Sequence, residues 1–387
     1  MIPYGKQSIN QDDIDAVLDV LQSDFLTQGP KVPAFEQAVA HYVGAEYGVA
    51  VNSATSALHI ACQALGLGKG DTLWTSPNTF VASANCALYC GANVDFVDID
   101  PRTYNLCPDA LEAKLRYAHQ VNRLPKIVMP VHFAGQPCDM ARIHALSLEY
   151  GFRIIEDASH AIGARYNNQP IGSGRYSDIS VFSFHPVKII TSAEGGMAMT
   201  NQPALAKRMQ VLRNHGITRD PALMTRPPIG SWEYQQITLG ANYRMSDIHA
   251  ALGLSQLHRV DDFVAQRHLL KARYDGLLAD LPVITPFQAP ESESTLHLYP
   301  IQLHLDQIKL TQAQVFERLK EQELGVNVHY IPVHTQPYYQ ALGFKLGDYP
   351  HAEHYYQRTI SLPLFHGMTE QEQDRIVDIL SRIVGTK

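Results

Sequence analysis

Gly151-Phe152-Arg153-Ile154-Ile155-Glu156-Asp157-Ala158-Ser159-His160 is the stretch that decides how this chain folds. The mostly apolar run Phe152–Ile155 ends on two carboxylates, the pattern of a buried strand with polar groups at its carboxyl end. The helical-looking run Met140–Tyr150 stands before it, and the apolar Lys126–Val131 before that. The same alternation extends upstream. Val49-Ala50-Val51 leads into Ser53–Leu65, where Leu58, Cys62 and Leu65 recur at helical spacing. Thr72–Ser76 precedes Phe80–Tyr89, and Asn93–Ile99 ends beside Asp98 and Asp100. Repeated strand, turn and helix predict an α/β domain with a mainly parallel sheet. Ligands of such sheets collect at the carboxyl ends of the strands. Ala54, Thr55, Phe80 and Asp157 all follow predicted strands.

Beyond about residue 250 the texture changes. Asp247–Leu257 and Val260–Leu278 read as helices, the second long enough to cross between domains. After the Pro-containing stretch Leu281–Glu293 come His297–Leu303, a helix over Thr311–Gln322, the strand-like Val326–Ile331 and a closing helix Glu370–Val384. The expected division is a large domain over 1–255, N-terminal arm included, and a smaller α+β domain over 256–387.

The chain has 387 residues, 45% of them hydrophobic, which suffices for two packed units. Its net charge is −7, with Lys and Arg scattered rather than clustered, so no nucleic-acid surface is expected. The N-terminal Met1–Lys6 lacks the apolar core of a signal peptide. No run approaches the ~18 apolar residues of a membrane span. A cytoplasmic enzyme with no membrane partner is the expectation. The five cysteines include no CxxC pair, and no metal site is expected. Cys86 and Cys90 share a helical spacing and are expected to pack as small apolar side chains.

The chemistry begins at Ser183-Phe184-His185-Pro186-Val187-Lys188, followed by Glu194-Gly195-Gly196. A lysine beside a strand, an acid at a strand end and a small-residue turn opening a helix are the parts that a pyridoxal 5'-phosphate (PLP) enzyme needs. Lys188 would condense with the cofactor's aldehyde and return as the base of transamination. Its apolar neighbours Phe184, Val187, Ile189 and Ile190 suit an amine whose pKa is lowered by desolvation. Asp157 would face the pyridine nitrogen and keep it protonated. His160 is placed to reach the ring's phenolic oxygen. In Asn52-Ser53-Ala54-Thr55-Ser56, small residues at a helix start suit a phosphate, with the Ser183 hydroxyl as a further donor. Phe80 would stack on the pyridine face. Each motif has a plainer reading too: a surface lysine, a strand-end acid, a structural histidine, a Ser/Thr helix cap, a core phenylalanine.

Together these stretches carry a resemblance. The chain is similar, over nearly its whole length, to the DegT-like sugar-nucleotide aminotransferases among the fold-type-I PLP enzymes. The matching segments are Phe25–Val32, Asn52–His59, Glu156–Gly163, Ser183–Gly196, Gly240–Arg244, Pro332–His334 and Ser361–Leu364. Tyr4–Ser8, Thr27–Gly29 and His215–Pro221 resemble most the transaminases of the pseudaminic-acid pathway. The resemblance implies a PLP-dependent transferase fold of type I and amino transfer from L-glutamate to C4 of a UDP-linked 4-keto-6-deoxy N-acetyl sugar. The implied product is UDP-4-amino-4,6-dideoxy-N-acetyl-β-L-altrosamine. It also implies a homodimer with composite active sites, Asn242 reaching the phosphate in the neighbouring subunit. Substrate contacts are implied for Tyr4, for Asp24, Phe25, Leu26 and Thr27, and for Tyr330, Ile331, Pro332 and Val333. In two places the chain departs from the wider family. Ala54 replaces a usual Gly, so the turn there is expected to need no positive φ. Ser192-Ala193 before Glu194 replaces a Gly-containing pattern, which bears on loop shape.

Four other readings compete. Aminotransferases acting on other UDP- or dTDP-keto-sugars share most of these motifs. Dehydratases of the same fold carry histidine in place of the lysine, and Lys188 argues against them. A nicotinamide-dependent oxidoreductase would need a GxGxxG turn after the first strand, whereas Gly66-Leu67-Gly68-Lys69-Gly70 follows a helix and reads as its stop. A non-catalytic relative would lack the lysine or the ring partner, and both are present.

Overall fold

Seven strands form the central sheet of the computed structural model, which describes residues 1–385. They are β1 (Tyr47–Val51), β2 (Thr72–Thr75), β3 (Asn93–Phe96), β4 (Ile127–Met129), β5 (Arg153–Asp157), β6 (Ile179–Ser183) and β7 (Gly196–Thr200). Their order across the sheet is β1-β7-β6-β5-β4-β2-β3. Only β7 runs against its neighbours; the other pairs are parallel. The carboxyl ends of β1, β2, β4, β5 and β6 therefore open on one edge, where β7 begins.

Both faces of the sheet are covered, as parallel sheets require. Alternate residues go to opposite sides. Ile154 and Phe182 join a core with Phe35, Val39 and Phe184, while Ile155 and Val181 join another with Leu58, Ile60 and Phe96. The same period of two separates the acidic pair at the end of β5. Glu156 falls on the first side, where its carboxylate meets His132 Nε2 at 2.8 Å and the Ser180 hydroxyl at 2.9 Å. Asp157 falls on the other.

Local signals set the helix ends. The Ser53 hydroxyl accepts from the Ser56 amide at 3.2 Å and starts the helix Ala54–Ala64. Gly66, at φ +75°, lets the chain leave that helix, with the Leu67 amide closing on the Cys62 carbonyl at 3.0 Å. The helices Met140–Tyr150, Asp247–Leu257 and Glu370–Val384 have the bounds their spacing predicts.

A separate core gathers Tyr274, Tyr299, Ile301, Leu319, Ile360, Ile376 and Leu380 around three antiparallel strands, β8 (Val283–Ile284), β9 (Tyr299–Leu303) and β10 (Thr359–Leu362). The long helix Val260–Leu277 serves both cores: Val260, Phe263 and Val264 pack in the first, Leu270 and Tyr274 in the second. One expectation fails here. Val326–Ile331 is not a strand, and only Asn327 bridges to Ser361. Its backbone turns to other partners, the Tyr330 amide reaching Asn78 Oδ1 at 3.3 Å. Among the described residues no helix is long and apolar enough to cross a membrane.

Candidate active site

A cavity of about 490 Å³ opens at the sheet edge where the strand ends converge. Ser53, Ala54 and Thr55 after β1, Phe80 after β2, Asp157 of β5, Ser183 of β6 and then Lys188 all line it. The sequence-predicted lysine, acid, phosphate turn and aromatic ring thus meet in one place.

At one side the helix Ala54–Ala64 aims its amino end at the cavity. Ser53 caps only the Ser56 amide, and the Ala54 and Thr55 amides have no protein acceptor among the described residues. Free amides at a helix start are an anion site. Ala54 has no positive φ, so alanine is accommodated there as expected. The glycine that matters is across the way. A Cβ on Gly196 would stand 2.4 Å from the Ala54 nitrogen, so β7 approaches this helix start only without a side chain.

Asp157 is buried, and its carboxylate is held at both oxygens. The Ser83 hydroxyl donates to Oδ2 at 2.6 Å, and the Ser159 amide and hydroxyl meet Oδ1 at 3.1 and 2.6 Å. The Thr79 hydroxyl lies 2.7 Å from that of Ser83, extending the chain of hydroxyls. Lys188 is half-buried on the same cavity, its amide donating to the His185 carbonyl at 2.9 Å. Burial pushes its amine down to about 8, against the pull of the Asp157 carboxylate, which raises it.

His160 is also buried, and its Nε2 lies 3.2 Å from the Tyr330 hydroxyl. Its backbone carbonyl accepts from the Thr295 hydroxyl at 2.6 Å, and its ring rests on that of His297 with centroids 4.4 Å apart. Burial, then the charge of Lys188, hold His160 well below the usual histidine range. His329 is pushed down to about 3 by burial and by Lys188. The cavity therefore keeps neutral imidazoles around one amine. Phe80 leaves 59% of its surface exposed, an uncovered ring on the cavity wall.

Tyr4 and Tyr330 also line the cavity, whereas the other predicted substrate contacts do not. Asp24, Phe25, Leu26 and Thr27 lie exposed elsewhere on the chain, as does Asn242, which bridges to Asn214. Ile331 is exposed, Pro332 is buried, and Val333 packs in the core with its amide on the Pro77 carbonyl at 2.9 Å. Several cavity residues escaped the sequence reading: Ser83, Ser159, His297, Asn327 and His329. Ser159 had a signal, a hydroxyl two residues after a strand-end aspartate. The rest come from segments far apart in the chain and had none.

The residues present fit PLP: two free helix amides and Ser183 for a phosphate, an uncovered aromatic face for the ring, a fixed carboxylate for its nitrogen, and an amine of lowered pKa for its aldehyde. The comparisons agree. A sequence profile described as the DegT/DnrJ/EryC1/StrS aminotransferase family matches residues 7–381, and the chain belongs to that family. It is a PLP-dependent sugar aminotransferase of fold type I. The spore coat polysaccharide biosynthesis protein SpsC of Bacillus subtilis is 39% identical over 386 residues, 99% of this chain and 97% of its own. Among solved structures, Helicobacter pylori PseC, an aminotransferase involved in the biosynthesis of pseudaminic acid, superposes with a TM-score of 0.90 at 30% identity over 99% of each chain. The PLP form of the sugar aminotransferase Spr1654 from Streptococcus pneumoniae gives 0.87 at 30% identity, over 99% of this chain and 98% of that one.

Proposed function

We propose that this protein transfers an amino group from L-glutamate to C4 of UDP-2-acetamido-2,6-dideoxy-β-L-arabino-hex-4-ulose, making UDP-4-amino-4,6-dideoxy-N-acetyl-β-L-altrosamine for pseudaminic acid in the cytoplasm. The observation that carries the chemistry is the Lys188 amine, held near neutrality in the cavity it shares with the Asp157 carboxylate. The likeness to PseC and the motifs Tyr4–Ser8 and His215–Pro221 support the choice of sugar.

Bound PLP supplies the aldehyde that takes up the amino group and the ring that draws off the electrons released at carbon. The rest is work for the chain's own residues. Lys188 Nζ holds the cofactor, then moves the proton between carbon and the aldehyde position; an amine with its pKa at about 8 is available as a base near neutral pH. Asp157, fixed by three donated hydrogen bonds, keeps the ring nitrogen protonated. The Ala54 and Thr55 amides and the Ser183 hydroxyl would hold the phosphate, Phe80 would cover one ring face, and His160 would serve the phenolic oxygen. Tyr4 and Tyr330 line the way to the sugar.

Asn242 and Asp24–Thr27 fit this reading in a homodimer, where they would complete the neighbouring site. Phe25 and Leu26, at 54% and 48% exposure, are large apolar side chains that a second subunit would cover. The division into 1–255 and 256–387 is part of the same proposal, with residues from both units facing the cavity.

The absorption spectrum of the purified, PLP-loaded protein tests the reading. It should change on adding L-glutamate and return on adding the UDP-linked 4-keto sugar, with 2-oxoglutarate and the 4-amino sugar formed in equal amounts. Return with a different keto-sugar alone would keep the enzyme class and discard the pathway.

A further inference from the structure

One buried acid takes no part in the cavity. Asp247 is fully buried in the first turn of the helix Asp247–Leu257, yet its side chain does not cap that helix. The cap is the Ser246 hydroxyl, which accepts from the His249 amide at 3.3 Å. The Asp247 carboxylate turns to a distant segment instead. Oδ2 accepts from the amide of Gly29, 218 residues away, at 2.8 Å, and Oδ1 from the Lys31 and Val32 amides at 2.7 and 3.4 Å. The backbone completes the attachment: the Asp247 amide donates to the Leu26 carbonyl at 3.0 Å, and Ser246 bridges to Thr27. The loop so held is tight. Gln28 sits at φ +55°, and a Cβ on Gly29 would stand 2.4 Å from the Phe25 Cβ. A buried charge is costly, and among the described residues this one is met by amides and by no cation. What it secures lies at the surface, since Asp24–Thr27 are all exposed.

The strip Asn242–Arg244 runs into the same junction. It is laid against the phosphate turn: the Asn52 amide donates to the Tyr243 carbonyl at 2.9 Å, the Tyr243 hydroxyl lies 3.0 Å from His59 Nδ1, and Arg244 bridges to Val51. Asp247 thus joins the two segments, Asp24–Thr27 and Asn242, that do not line this chain's own cavity.

We propose that Asp247 is a positioning residue acting across the homodimer proposed above, on which this inference rests: it sets the Asp24–Gln28 loop so that Asp24–Thr27 meet the keto-sugar in the neighbouring subunit's cavity. Helix stability alone would ask only for an acid near the helix start, where the dipole favours it. Three amides on two oxygens ask for an acceptor at both positions. Asp247→Asn keeps the shape but turns an NH2 group toward one set of those amides, donor against donor, so one side of the loop is released.

Mixed dimers of the PLP-loaded protein, purified from two differently tagged chains, test the assignment. As a homodimer, Asp247→Asn should raise KM for the UDP-linked 4-keto sugar about tenfold while kcat stays within about twofold. Paired with Lys188→Ala, it leaves one working lysine, in the subunit whose own loop is loose; the loop reaching that site then comes from the chain with Asp247 intact. KM should return to the wild-type value. The reverse pairing, wild type with a Lys188→Ala, Asp247→Asn double variant, should keep KM high. If KM instead follows the subunit that carries Lys188 in both pairings, or is unchanged in the homodimer, Asp247 does not act across the interface. Gly29→Ala crowds Phe25 without touching the carboxylate, should give the same crossed pattern, and replaces Asp247→Asn if that chain fails to fold. Sedimentation of active wild-type protein separates the two failures. A fully active monomer would remove the homodimer itself, whereas a dimer without the crossed pattern would remove only the role of Asp247.

Discussion

Lys188, Asp157 and the Ala54-Thr55 amides stand at the carboxyl ends of β6, β5 and β1, whereas Tyr4, Asn327, His329 and Tyr330 reach the cavity on irregular segments from the two ends of the chain. The floor inherits its positions from the sheet. Ladder hydrogen bonds fix β5 and β6 against each other, and the Thr79, Ser83 and Ser159 hydroxyls fix the carboxylate in turn. The mouth has only isolated bridges, Ile2 to Leu324 and Asn327 to Ser361 among the described residues, and side-chain contacts such as His329 Nδ1 to the Ser361 hydroxyl at 2.8 Å. A preorganised floor suits the chemistry shared by the family; a mouth made of loops suits the part that differs between sugars.

The comparison predicts that floor changes act on turnover and mouth changes on substrate binding. Lys188→Ala should lower kcat by a factor on the order of a thousand or more, since no other cavity group supplies both attachment and base. Circular dichroism should show the fold intact. The same lysine carries a pH dependence. Its folded pKa, about 8, lies below the ordinary 10.5, so the fold favours the neutral amine. Covalent capture of added PLP by the unloaded protein should therefore rise as pH increases through about 8, and apo stability should gain from that value up towards the unfolded pKa. A capture profile that rises only near the ordinary lysine pKa would mean that the amine is not desolvated.

Ser83→Ala should lower kcat about tenfold or more with little change in KM, because one hydrogen bond to a buried carboxylate is lost. Tyr330→Phe removes the hydroxyl 3.2 Å from His160 and should instead raise KM for the keto-sugar a few-fold. If Tyr330→Phe depresses kcat as much as Ser83→Ala does, the floor and mouth do not divide in this way. The smallest effect is on stability. Ala193 sits at φ +65° in the loop after Lys188, a conformation that costs an alanine about 1 kcal/mol, so Ala193→Gly should raise the melting temperature slightly without changing kcat.

The alternation of strand and helix was legible because apolar periodicity is local. Phe152–Ile155 announces β5, Ser53 announces the helix it caps, and Asp157 falls at the strand end because the apolar run stops there. Val326–Ile331 misled for the same reason: its alternation resembles a strand, yet it meets β10 only through the bridge of Asn327 to Ser361, and the Tyr330 amide goes to Asn78 instead of a ladder. Cys86 and Cys90 pack as their helical spacing predicts, Cys86 inside the core and Cys90 partly buried against it.

The order of residues alone was enough for the α/β framework and for placing Lys188, Asp157 and Ala54-Thr55 just after strands, because each depends on residues within a few positions of one another. Only the tertiary structure decided which of the two acids at the end of β5 turns to the cavity, which hydroxyls hold it, and that His297 and His329 surround the amine. Those facts depend on contacts between segments tens to hundreds of residues apart, such as Ser83 with Asp157 and Tyr330 with His160. Such contacts leave no periodic trace in the chain, since it is the packing of the sheet and the second core that brings them within hydrogen-bonding distance.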